Sequence, residues 1–141
     1  HRMGIASAVW KPDVQSAHIW AQTNLILDAL VGYGLKGTPR EPVASLIREA
    51  NASRRPILAL DLPSGLDGDT GEPYEPCICA STTLTLGLPK VGLLAKAAKR
   101  FVGELYVADI GVPPLVYRRL GLEVGNLFSV SDVVELETSP D

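Results

Sequence analysis

The sequence predicts an α/β fold built on a mainly parallel sheet. Three observations carry this. Short, almost continuous apolar runs recur along the chain, two of them carry an aspartate at or near their ends, and a stretch of helical periodicity lies between those two. Strand, helix and strand in that order imply right-handed crossovers and parallel pairing. The chain has 141 residues, 46% hydrophobic and 21% charged, which suits a single globular domain.

Residues 5–10, Ile-Ala-Ser-Ala-Val-Trp, form an apolar run that stops before Pro12, as a strand would. Met3-Gly4 ahead of it reads better as a helix stop with its glycine cap than as an initiator. A buried strand this early implies neighbours on both sides, so the domain is expected to be incomplete on its N-terminal side. Residues 14–22 have weak helical character. Residues 25–31 are apolar nearly throughout and predict a strand buried on both faces. Pro39 and Pro42 prepare a helix over residues 43–52, because proline suits the first helical turn. Leu46, Ile47 and Ala50 give that helix its apolar face. Residues 56–61 predict the next buried strand, and the glycine- and proline-rich residues 62–76 a long turn segment. Residues 82–86 and 104–108 complete the strands, with a mixed apolar and basic stretch, 93–102, between them. The whole is a Rossmann-like three-layer sandwich occupying residues 1–128, with 129–141 as a tail or linker.

Composition narrows the partners. A net charge of −3 offers no basic footprint, so no nucleic acid is expected. The most apolar stretch is too short to span a bilayer and holds Asp28, so no membrane is expected either. The first residues lack the charged-then-apolar layout of a leader, which favours a cytoplasmic or organelle-matrix protein. Cys77 and Cys79 are one residue apart, a spacing that fits no common zinc site. Both read as small, semi-buried residues of a reduced compartment.

In open parallel sheets ligands bind outside the carboxyl ends of the strands. Asp28 and the loop Gly32, Tyr33, Gly34, Leu35, Lys36, Gly37 and Thr38 follow one strand; Asp61-Leu62-Pro63-Ser64-Gly65-Leu66-Asp67 follows the next. Neighbouring strand ends would gather Asp28, Asp61 and Ser64 in one crevice. Asp28 is the most informative of these, because a carboxylate in an apolar run must be paired, hydrogen-bonded or bound to a cation. The glycines by themselves suit a turn that needs positive φ better than they suit a ligand. Asp61 equally suits a turn organised by its side chain. Ser64 is no hydrolase nucleophile: it lacks the Gly-x-Ser-x-Gly elbow, and neither His1 nor His18 follows a strand.

Four ordered blocks together resemble the NAD(P)HX epimerases, also called YjeF N-terminal domains. They are residues 27–37 (Leu-Asp-Ala-Leu-Val-Gly-Tyr-Gly-Leu-Lys-Gly) with Pro39-Arg40-Glu41-Pro42, and 59–67 (Ala-Leu-Asp-Leu-Pro-Ser-Gly-Leu-Asp) with Asp69-Thr70-Gly71. Then come 87–94 (Gly-Leu-Pro-Lys-Val-Gly-Leu-Leu) and 103–113 (Gly-Glu-Leu-Tyr-Val-Ala-Asp-Ile-Gly-Val-Pro). The resemblance implies an isomerase of nicotinamide nucleotide repair that interconverts the R and S forms of hydrated NADH and NADPH. It implies that Asp28 and Ser64 help hold a potassium ion, that Gly32 to Thr38 wrap the substrate phosphates, and that Asp61 faces the hydrated nicotinamide. Oxygen ligands suit such a cation, backbone N–H groups suit phosphate, and a carboxylate suits proton transfer. Lys90 is a further, weaker candidate for charge stabilisation, and a solvated surface lysine is the reading favoured for it.

The family's earlier half brings a glycine-rich phosphate loop with a potassium-binding asparagine, and no such text occurs here. The resemblance therefore covers the C-terminal part of the domain. The chain alone is expected to be inactive and to self-associate as a homo-oligomer. Residues 130–136 resemble the connector that leads to a dehydratase, which is the expected partner, fused or separate. The alternative is a non-catalytic ligand-binding or dimerisation module, as in mRNA-decapping scaffolds; a scaffold need not keep Asp28, Asp61 and Ser64 together. An ordinary dehydrogenase ranks last, for want of a Gly-x-Gly-x-x-Gly turn followed by an acidic residue.

Overall fold

A computed structural model describes residues 7–10 and 19–137 of the chain. Its centre is a five-stranded sheet in which spatial order follows chain order: β1 (Ile26–Asp28), β2 (Ile57–Leu60), β3 (Thr82–Leu86), β4 (Glu104–Ala108) and β5 (Val133–Leu136). The first four strands are parallel, and β5 returns antiparallel to β4. The parallel connections are α1 (Val43–Ala52), the turn segment, and two 3₁₀ turns that lead into α2 (Lys99–Val102); α3 (Pro114–Arg119) follows β4. Among the described residues no helix is long and apolar enough to cross a membrane.

Helix α1 begins and ends where the proline and apolar spacing place it. It buries Ala44, Ile47 and Ala50. Ile47 and Ala50 pack on Ile57 and Ala59 of β2, with Ile78 and Ala80. A second cluster joins Leu93, Phe101 and Val102 to Leu62, Leu66 and Leu105. Both clusters use the same face of the sheet. Burial alternates along the strands, with Ile57 and Ala59, Thr83 and Thr85, Leu105 and Val107 inside, as a pleat covered on one side requires.

The opposite face is open among the described residues: Leu27 is 59% exposed, Val133 45% and Leu60 36%. The expectation that residues 25–31 form a strand buried on both faces is thus corrected, and the buried strand expected at 56–61 is covered on one face. An apolar run states that a strand tolerates burial, not that a neighbour is there to provide it. β1 is also short, three residues at the edge of the sheet. Of the expected strand at 5–10, residues 7–10 form no strand, and residues 5 and 6 lie outside the described residues. Of the expected helix at 14–22, residues 19–22 are helical and 14–18 lie outside the described residues.

The expected tail is a further correction. Val133–Leu136 pairs along β4 from Ala108 to Leu105, and Leu136 packs against the second cluster. The alternation of half-buried Val134 and Leu136 with exposed Val133 and Glu135 is that of an edge strand. The sheet therefore runs on to Leu136, past residue 128.

Candidate functional site

Parallel register sets the carboxyl ends of β1, β2 and β3 side by side, since Asp28 pairs with Ala59 and Leu60 with Leu84. Three polar assemblies stand along that edge.

The first joins the loops after β1 and β2. Asp28 is only 2% exposed. Ser64 donates to it twice, from its backbone N–H to Oδ2 at 2.8 Å and from its hydroxyl to Oδ1 at 2.7 Å. The Leu30 N–H adds a longer bond to Oδ1, 3.3 Å. Ser64 Oγ in turn accepts the Val31 N–H at 2.9 Å and lies 3.2 Å from the Val31 carbonyl oxygen. The buried carboxylate has found its partners, as its place in an apolar run required. The Pro63-Ser64-Gly65 turn that delivers Ser64 needs its glycine. Gly65 has φ +100°, and a Cβ there would stand 2.5 Å from the Pro76 carbonyl oxygen.

The second assembly centres on Asp61, which leaves β2 with φ +71° while its N–H donates to the Leu84 carbonyl at 2.8 Å. A non-glycine residue held in this region is strained and must be fixed by its surroundings. Its Oδ1 accepts the Leu86 N–H at 3.1 Å, the Thr85 hydroxyl at 3.3 Å and the Lys90 ammonium. Among the described residues no donor reaches Oδ2. Lys90 is not a solvated surface lysine: its side chain is 19% exposed, and Nζ also donates to Thr85 Oγ1 at 3.2 Å.

The third is the glycine loop. Gly32 and Gly34 do not have positive φ, and a Cβ on either would meet nothing within 4 Å. Only Gly37, at φ +89°, needs glycine for its backbone. The turn explanation therefore covers Gly37 and leaves Gly32 and Gly34 as open backbone. Residues 31–36 and 38–41, with Val43, line a cleft of about 680 Å³, a size suited to a small-molecule ligand. The loop is tied to the turn segment after β2. The Tyr33 hydroxyl donates to Asp69 Oδ1 at 2.5 Å, and Lys36 donates to Asp69 Oδ2 at 2.9 Å, 3.6 Å from Asp67. These bonds push the Tyr33 hydroxyl and the Lys36 ammonium up and hold the Asp69 carboxyl down. Asp67 is held well below the usual aspartate range, first by the Tyr74 hydroxyl and then by the N–H groups of Thr70 and Asp69.

The structure thus brings Asp28 to Ser64 and Asp61 to Lys90, and sets every residue from Gly32 to Thr38 except Gly37 along a separate cleft. Asp28, Ser64 and Asp61 do not line that cleft; Val31 connects it to the Asp28–Ser64 knot. Sequence reasoning missed Thr85, whose signal was a polar residue alternating into the buried face of a strand. It also missed the part of Asp67, Asp69 and Tyr74 in bracing the loop. Cys77 takes no part in this chemistry, since burial pushes its thiol up to about 12 and keeps it protonated.

The family described as YjeF-related protein N-terminus matches residues 3–92. The chain belongs to this family. Among its relatives, the NAD(P)H-hydrate epimerase of Dehalogenimonas lykanthroporepellens is 46% identical over 102 residues, covering 72% of this chain and 40% of the relative. A bifunctional NAD(P)H-hydrate repair enzyme, Nnr, of Pyrobaculum aerophilum is 46% identical over 101 residues, again 72% of this chain but 20% of the relative. The chain therefore spans well under half the length of either. The crystal structure of yeast ynu0, YNL200c, superposes with a TM-score of 0.64 at 25% identity, over 81% of this chain and 47% of that one. The family match takes in Asp28, Ser64, Asp61, Lys90 and the whole glycine loop.

Proposed function

We propose that the protein carrying this chain is an NAD(P)H-hydrate epimerase. It would interconvert the R and S hydrates of NADH and NADPH, so that a fused or separate dehydratase can restore the coenzyme. The observation that carries this reading is Asp61, a carboxylate anchored through Oδ1 and open at Oδ2, at the sheet edge where ligands of such folds bind. Once protonated from solvent, Oδ2 would pass that proton to the departing hydroxyl, which leaves as water, and would recover one from the water that adds to the other face of the ring. Lys90 keeps Oδ1 engaged and offsets its charge. The open backbone at Gly32 and Gly34 suits the close approach of the diphosphate.

The oxygens of Asp28, Ser64 and Val31 fit potassium in kind, being hard donors grouped within 3.2 Å of Ser64 Oγ. Asp28 and Ser64 are accordingly the residues proposed to hold the ion. Potassium, when bound, would supply a fixed positive charge near the substrate phosphates.

Perturbation mapping tests the placement. Hydrated NADH added to the isotopically labelled complete gene product should shift the amide resonances of Gly32, Gly34 and Leu86. Shifts confined to the opposite edge of the sheet, around Arg54 and Ser81, would move the site elsewhere.

A further inference from the structure

We infer that Thr85 is a positioning residue for Asp61, setting which carboxylate oxygen meets the substrate; this rests on the epimerase reading of Asp61. Thr85 is fully buried on the covered face of β3, with Val107 of β4 beside it and Ala59 of β2 opposite Thr83, two residues earlier. A hydroxyl among such neighbours must find a partner. Thr83, two residues earlier on the same face, gives its hydroxyl to the Val102 carbonyl at 2.7 Å, a bond that ties β3 to α2. Thr85 is used differently: its hydroxyl donates to Asp61 Oδ1 and accepts from Lys90 Nζ, so it sits between the two charges.

Only a group that is donor and acceptor at once can fill that place, and a valine of the same shape is neither. Leu86 N–H and Lys90 alone would hold Oδ1 with two donors against a last torsion that is broad for aspartate. With the Thr85 hydroxyl added, Oδ1 is engaged by a backbone donor, a neutral donor and a cation, and Oδ2 is the oxygen left without a donor among the described residues. Thr85 touches no open surface and reaches the reaction only through Asp61 and Lys90.

The test compares Thr85→Val, Thr85→Ser and Asp61→Asn in the complete gene product, by exchange kinetics and by hydrogen exchange at the Leu86 amide. Thr85→Val should lower kcat by about 10-fold, as loosening a proton-transfer group would, with KM within about 2-fold. It should also reduce protection of the Leu86 amide, whose acceptor is Asp61. Thr85→Ser, which keeps the hydroxyl, should restore both readouts even if its melting temperature falls. A Thr85→Val enzyme with parental kcat beside an inactive Asp61→Asn enzyme would overturn the positioning role alone. So would a serine variant as slow as the valine one. A fully active Asp61→Asn enzyme would instead remove the reading of Asp61 itself, and the positioning role with it.

Discussion

Replacing Asp61 with alanine is expected to slow R-to-S exchange in the complete gene product by at least about 10²-fold, the lower end of what a positioned acid–base group contributes. Two effects must be separated in that variant. Asp61 sits at φ +71°, where alanine is strained by about 1 kcal/mol, so some stability will go with the activity. Asparagine tolerates this backbone region and keeps the shape of the side chain, yet cannot exchange protons as a carboxylate does. Asp61→Asn should therefore melt close to the parent and lose rate as fully as the alanine variant. A normal rate in Asp61→Asn would shift the chemistry to another group, with Lys90 the next to test.

The second large effect concerns stability. Asp28→Ala removes the acceptor for the buried Ser64 N–H, leaves the buried Ser64 hydroxyl only the longer bond to the Val31 carbonyl, and loosens the join between the loops after β1 and β2. Stranding buried donors in this way should lower unfolding free energy by about 2–4 kcal/mol, read as a fall in the midpoint of chemical denaturation. An unchanged midpoint would mean that water satisfies those groups in place of Asp28. Asp28→Asn is the milder change: an amide oxygen still accepts the Ser64 N–H, but the charge is gone. That variant should fold and show weakened potassium stimulation of exchange; unchanged potassium dependence would count against the cation assignment.

How far the residues announced this architecture depended on whether the deciding partner was local. Helix α1 was legible to its ends because Pro39, Pro42 and the spacing of Ile47 and Ala50 are local signals. β3 and β4 were legible because glycines and prolines punctuate them. The Asp28–Ser64 bond was foreseeable in outline, since a carboxylate inside an apolar run has few alternatives to a buried partner. By contrast, β5 was masked by Ser131, Asp132 and Glu135, and its strand character depends on β4, some thirty residues earlier. Burial of β1 on one face only depends on what packs against the sheet, which an apolar run cannot state. Lys90 looked like a surface lysine because its partner Asp61 is twenty-nine positions away and meets it only once β2 and β3 pair. The open backbone at Gly32 and Gly34 could be told from a turn requirement only by their φ values and surroundings.

Catalysis of the exchange by the intact protein is the most direct test of the proposed function. Pure R hydrate of NADH, incubated with the complete gene product in potassium buffer, should relax to the R and S mixture much faster than in buffer alone. The Asp61→Asn protein should relax no faster than about one hundredth of the parental rate. A folded gene product that leaves the R hydrate to epimerise at its uncatalysed rate would contradict the proposed function, whatever the geometry at the sheet edge.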